Sequence, residues 1–116
     1  GLNGRPNYVR DDINNKQVMG RFGWKANQPS IRQQIAAAFA ADIGVTSSLY
    51  PFTECTPVQH ECLAAIKAPK PELRPDMWDA LTFWTQALAV PERRDTDKPE
   101  VQRGEASFTS SGCANF

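Results

Sequence analysis

The sequence is poorest in histidine, with one, His60, among 116 residues. Metal sites built on imidazole and Ser-His or Cys-His nucleophilic pairs therefore have a single position from which to start. Charge of one sign is also missing, since 13 basic side chains balance 13 acidic ones. That balance removes the basic stripe through which a chain grips nucleic acid or an anionic membrane surface. No apolar run approaches the roughly eighteen residues of a membrane span. The opening GLNGRPNYVRDD lacks the apolar core and cleavage site of a signal peptide, so any case for export must come from elsewhere. There is no Gly-rich phosphate loop, no serine nucleophile elbow and no paired-carboxylate motif. Glu54, Glu61, Asp76 and Asp79 read as solvated charges at helix ends.

What is present points to one domain-sized unit with a real core, 41% hydrophobic and punctuated by nine prolines and seven glycines. Three cysteines divide most simply into a pair, Cys55 and Cys62, plus Cys113. Bridged, the pair implies an oxidising compartment and about 2 to 3 kcal/mol of chain-entropy stabilisation; reduced, it is two half-buried thiols on a cytosolic helix. Spacing alone leaves both open.

Residues 1 to about 18 carry neither hydrophobic period and read as irregular, and GRFGWKANQPS after them is a loop ordered by its aromatics. In SIRQQIAAAFAADIG, Ile31, Ile35, Phe39 and Ile43 recur every four residues, which predicts a helix with that stripe facing a core. Ser30 and Gln33 form a capping box, and Gly44 stands at the C′ position. Thr56, Pro57 and Gln59 predict a short helix through Cys62, Leu63 and Ile66, ended by Pro69 and Pro71. From Pro75 to Val90, Met77, Trp78, Leu81, Phe83, Trp84 and Leu88 cover more than half the circumference, which predicts a helix buried on several sides. PERRDTDKP is a charged linker, and a last helix from Pro99 turns Val101, Gly104 and Phe108 inward. No strand pattern competes. The expected class is all-α, several helices with long irregular connections and cytochrome c-like helical packing.

A zinc site from Cys55, His60 and Cys62 lacks a fourth ligand, and His60 and Cys62 point to different helix faces, so no metal site is assigned. The tail is more informative. Gly104 and Phe108 on one helix, then a small-residue turn and Cys113, resemble the approach to a c-type haem, with Cys113 opening a C-x-x-C-H motif. The motif asks for Cys113-Ala-Asn-Cys-His, but Phe116 occupies the second thiol position and no histidine follows in the chain.

Several blocks then match in order. GRPN at 4–7, GRFGWKANQPSIRQQIAAAFAADIGVTS at 20–47, the Cys55 and Cys62 pair, DALTFWTQALAVPERR at 79–94 and PEVQRGEASFTSSGC at 99–113 resemble the di-haem oxidoreductase family. These are bacterial proteins also labelled thiol oxidoreductases or haem peroxidases, similar at a distance to di-haem cytochrome c peroxidases. The resemblance implies one C-x-x-C-H motif upstream of GRPN and a second beginning at Gly112-Cys113. The chain is then expected to be an inter-haem fragment of a longer periplasmic or otherwise exported protein. Residues 1–91 would be a helical segment after the first haem motif, 92–98 a linker, and 99–116 the truncated first helix of a second cytochrome c-like domain.

Haem c is the cofactor implied for that parent, with electron transfer to or from a peroxide or related small oxidant. The partners implied are the rest of the polypeptide and a small electron-transfer protein, with no nucleic acid and no membrane span. Cys113 is carried over as the tether. Trp24, between Arg21 and Lys25, is a candidate aromatic between two haems with the cations near propionates, weighed against an aromatic anchoring its loop on the core. Met19 is a candidate sixth ligand of the upstream haem, weighed against an ordinary packed methionine. Trp78 and Trp84 are core by periodicity. The alternative from another class is a haem-free helical binding or structural module with no catalysis of its own.

Overall fold

The computed structural model describes residues 4–52, 55–66 and 68–115, with Asn115 described by its backbone alone. Glu54 and the non-cysteine Phe116 lie outside the described residues. Two compact units form, Asn7–Leu88 and Ala89–Phe116 together with Gly1–Pro6.

The first unit begins with an antiparallel hairpin, β1 (Tyr8–Asp11) and β2 (Lys16–Met19). This overturns the all-α expectation: the described residues form four α-helices and a two-stranded sheet. The reason is physical. Each strand has four residues, and its two hydrophobic pairs, Tyr8↔Met19 and Val9↔Val18, are adjacent rather than alternating, which leaves no period-2 signal. The turn does the fixing instead. The Asp11 carboxylate accepts from the backbone N–H of Ile13 (3.1 Å) and Asn14 (2.9 Å) and from the Asn14 side-chain amide (2.8 Å), while Asn15 takes the left-handed conformation at φ 51°.

Helix α1 (Ile31–Ile43) starts and stops as its sequence predicts. Ser30 Oγ accepts from Gln33 N–H, and Gly44 is left-handed at φ 70°, with the Val45 N–H closing on the Phe39 carbonyl at 2.9 Å. The buried seam differs from the predicted isoleucine stripe. Gln33, Ala36 and Ala40 face inward, Ile35 and Phe39 flank the core, and Ile43 is exposed. Small residues win the seam because α3 (Pro75–Ala87) brings a large one: the Trp78 indole, 5% exposed, packs on Ala36 and Leu73. Its Nε1–H donates to the Arg32 carbonyl at 2.9 Å, and the Arg32 guanidinium lies 4.0 Å above the ring and pairs with Asp79.

The hairpin is latched to α1 by polar bonds. Gln33, 2% exposed, accepts from Asp12 N–H at 2.9 Å and donates to the Arg10 carbonyl and Asp12 Oδ2 at 3.2 and 3.3 Å. Tyr50 Oη donates to the same Asp12 Oδ2 at 3.0 Å. The chain between α1 and α3 is closed at its neck by Leu73 N–H to the Thr46 carbonyl at 2.8 Å. It carries the one-turn α2 (His60–Ala64), shorter than the predicted helix because Thr56 to Gln59 form a turn. Cys55 and Cys62 are bridged, with Cα atoms 5.8 Å apart.

In the second unit, α4 (Pro99–Ser110) begins with Pro99 at its first turn, as expected. The charged stretch before it is held by Asp95–Lys98 (2.9 Å) and by Arg93–Glu105 (3.0 Å), which ties it to the helix. Phe108 is exposed, and no atom lies within 4 Å of where a Cβ on Gly104 would stand. No helix among the described residues is long and apolar enough to cross a membrane.

Candidate functional site

The loop from Gly20 to Gln28 is a small, heavily bonded structure that thrusts one side chain outward. Arg21 and Phe22 N–H donate to the Gln28 carbonyl, and Gln28 N–H returns to the Phe22 carbonyl at 3.0 Å. Asn7 reaches across with its side-chain amide to the Lys25 and Ala26 carbonyls at 3.1 and 3.2 Å. Two positions make the turn possible. Gly23 is left-handed at φ 82°, and a Cβ on Gly20 would lie 1.8 Å from the Ala26 carbonyl oxygen. With its backbone so constrained, the loop holds the Trp24 indole wholly in solvent. The aromatic does not anchor its loop on the core.

Arg21 and Lys25 neighbour Trp24 in the chain, and among the described residues neither side chain enters an ion pair or hydrogen bond. Between this loop and α1 lies a cleft of about 580 Å³ lined by Trp24, Lys25, Asn27, Gln28, Gln34 and Ala41. Its alanine floor is the run AAAFAA of α1, whose short side chains leave room beneath the loop. Gln28 Oε1 and Gln34 Oε1 are buried acceptors without a partner. Trp24, one cation, Lys25, and the side-chain amides of Asn27, Gln28 and Gln34 line the cleft, which suits binding a flat group with polar edges.

The second surface is the outer face of α3. Met77, Phe83 (73% exposed), Trp84 (60%) and Leu88 are open to solvent, against four buried hydrophobic residues in the described core. The prediction that this helix is buried on several sides, with Trp84 in the core, fails for a simple reason: among the described residues the core on α3 comes from α1 and the adjoining Leu73 on one side, and Trp78 is the buried residue of the helix. Periodicity reported an apolar helix and could not report which faces this chain covers.

Met19 ends β2 opposite Tyr8, with its side chain 38% exposed. Met19 and Trp24 thus belong to one unit and to one stretch of chain, both facing out. Cys113, in the other unit, is an exposed free thiol in a short 3-10 turn (Cys113–Asn115), 3.4 Å from the Ser111 hydroxyl. His60 is the exposed first residue of α2, and among the described residues no three His, Cys, Asp or Glu side chains are grouped to hold a metal. The α3 face and the cleft under the Trp24 loop are the features sequence reasoning missed. The alanine run was the available signal for the cleft.

A family model described as "Di-haem oxidoreductase, putative peroxidase" matches residues 1–116, the whole chain. No curated protein and no solved structure matches it.

Proposed function

The chain belongs to the di-haem oxidoreductase family, and from that premise we propose that it forms part of an exported, haem c-dependent oxidoreductase of peroxidase type. Its share in that protein is the apolar and cationic surface against which haem packs. One observation carries the reading: among the described residues more large hydrophobic side chains are exposed than buried, with Trp24 on a hydrogen-bonded loop and Met77, Phe83, Trp84 and Leu88 along α3 and its C-terminal end. Large exposed apolar surface marks a face that another body covers. A flat apolar macrocycle with anionic edges matches exposed indole and phenyl side chains together with the unpaired Arg21 and Lys25 that neighbour Trp24 in the chain.

Under this reading Trp24 stands at a haem edge, Arg21 and Lys25 meet propionates, Met19 is the thioether within reach of iron, and Cys113 is the tether. Residues 92–98 lead from the hairpin-and-helix unit into the start of a second haem domain. The Cys55–Cys62 bridge supports export, because such bonds persist in oxidising compartments. The covalent attachment fits less well than the surface: Cys113-Ala-Asn is followed by Phe116 where a second thiol is required. When bound, haem supplies the redox chemistry; these residues bind, orient and neutralise. The incomplete tether is also what favours the second reading, a haem-free helical binding module.

Titrating the chain with ferric protoporphyrin distinguishes the two. The haem reading expects saturable quenching of tryptophan emission with a red-shifted Soret band, and extraction of the pigment by acid acetone. Quenching no greater than that of the urea-unfolded chain would favour the module.

A further inference from the structure

The block GRPN ends on Asn7, the residue just before β1. Tyr8 pairs with Met19, so the hairpin sets Asn7 against Gly20, whose N–H donates to the Asn7 carbonyl at 2.7 Å. The Asn7 side chain then reaches the Lys25 and Ala26 carbonyls at 3.1 and 3.2 Å. Both partners are carbonyl oxygens, which only accept, so the amide NH2 faces them and each of its two N–H groups has an acceptor. Gly20 lacks the Cβ that would stand 1.8 Å from the Ala26 carbonyl oxygen, and this lets that carbonyl come within reach.

The far half of the Trp24 loop has little else to hold it. Arg21, Gly23, Trp24, Lys25 and Asn27 are exposed. Among the described residues the other hydrogen bonds of residues 21–28 stay within the loop. Arg21 and Phe22 N–H donate to the Gln28 carbonyl, Gln28 N–H to the Phe22 carbonyl, and Ala26 N–H to the Gly23 carbonyl at 3.2 Å. These bonds close the base and the turn, but none ties residues 24–26 to the rest of the unit. Ala26 is also left-handed at φ 48°, a conformation that a residue with a Cβ adopts only where its surroundings impose it.

We propose that Asn7 is the positioning residue of Trp24: its amide clamps the Lys25 and Ala26 backbone to the hairpin and so presents the indole in one place for the macrocycle. The inference rests on the reading that Trp24 stands at a haem edge. Asn7 acts through the loop and not by touching the macrocycle. Without the clamp, binding has to order the loop first, and that ordering costs affinity. The position asks for a short side chain with two N–H donors. Aspartate has the shape without the donors.

NMR relaxation of the indole N–H groups and porphyrin titration, both on the full chain, test this with Asn7→Ala and Asn7→Asp. Each variant keeps the backbone carbonyl that Gly20 uses. In both, the heteronuclear NOE of the Trp24 indole should fall while those of Trp78 and Trp84 hold, with the Trp24 signal assigned by its loss in Trp24→Ser. Affinity for ferric protoporphyrin should fall by roughly 3- to 10-fold. In a Trp24→Ser background, Asn7→Ala should change affinity by less than about twofold, because nothing is left to position. Unchanged Trp24 order in Asn7→Ala, or full order in Asn7→Asp, would overturn the clamp. So would an affinity loss from Asn7→Ala that persists in the Trp24→Ser background. The haem reading fails separately, if Trp24→Ser binds porphyrin as tightly as the parent chain, and the relaxation result alone then decides the clamp.

Discussion

Two adjacent glutamines on α1 offer a controlled comparison. Gln33 and Gln34 have the same chemistry and the same helix, but Gln33 bonds Asp12 N–H, the Arg10 carbonyl and Asp12 Oδ2, whereas Gln34 Oε1 is buried without a partner. Replacing Gln33 by Met keeps length and helix propensity and removes all three bonds. The part-buried Asp12 N–H then loses its acceptor, at about 1 to 3 kcal/mol, and the two bonds donated by Gln33 cost about 1 kcal/mol more after water recovers part of them. The expected loss is about 2 to 4 kcal/mol. Gln34→Met relieves an unpaired acceptor instead and should be neutral within about 0.5 kcal/mol, or stabilising. Trp24, Trp78 and Trp84 all lie in the Asn7–Leu88 unit, so urea unfolding followed by tryptophan emission reports that unit alone. Equal losses for the two variants, or a Gln33→Met loss below about 1 kcal/mol, would refute the claim that polar bonds latch the hairpin to α1.

The glycines give opposite signs. Gly20→Ala drives a Cβ into the Ala26 carbonyl and should destabilise the same unit by about 1 to 3 kcal/mol, with faster exchange at the Arg21 and Gln28 amides. Gly104→Ala sits mid-helix in open space and should stabilise α4 by roughly 0.5 to 1 kcal/mol in thermal unfolding; a loss would mean that another body packs there. Asp11 titrates below its ordinary value, held down first by the Asn14 side-chain amide and then by the Asn14 N–H. A depressed carboxylate stabilises above its unfolded pKa, so the hairpin's protection is fully present above about pH 5 and is lost as pH falls through the folded value. Amide exchange at Asn14 should show this, and Asp11→Asn should flatten it.

Local chemistry was legible in the sequence and long-range chemistry was not. Ser30, Gly44, Pro75 and Pro99 mark helix ends because capping and a missing N–H act within one turn, and the structure places each as expected. The hairpin escaped because what fixes it is polar and distant: Asp12 meets Gln33 and Tyr50, 21 and 38 residues away. Such contacts leave no period to read. The exposure of α3 escaped for the converse reason, since its apolar residues were visible but which of them the rest of the unit buries is not in the pattern. The exposure of Trp24 likewise depended on Gly20 meeting Ala26, a backbone clash that composition cannot announce. Cys55 and Cys62 stood open between thiols and a bridge until their Cα atoms were placed 5.8 Å apart.

The central claim is that the exposed rings of this chain are a haem-packing surface. Its most direct test is the affinity of the chain for ferric protoporphyrin against that of a Trp24→Ser/Phe83→Ser/Trp84→Ser variant whose core, reported by Trp78, unfolds at the same urea concentration. Burying each ring contributes about 1.5 to 3 kcal/mol, so the variant should bind at least roughly tenfold more weakly. Equal affinity in the two proteins would contradict the account.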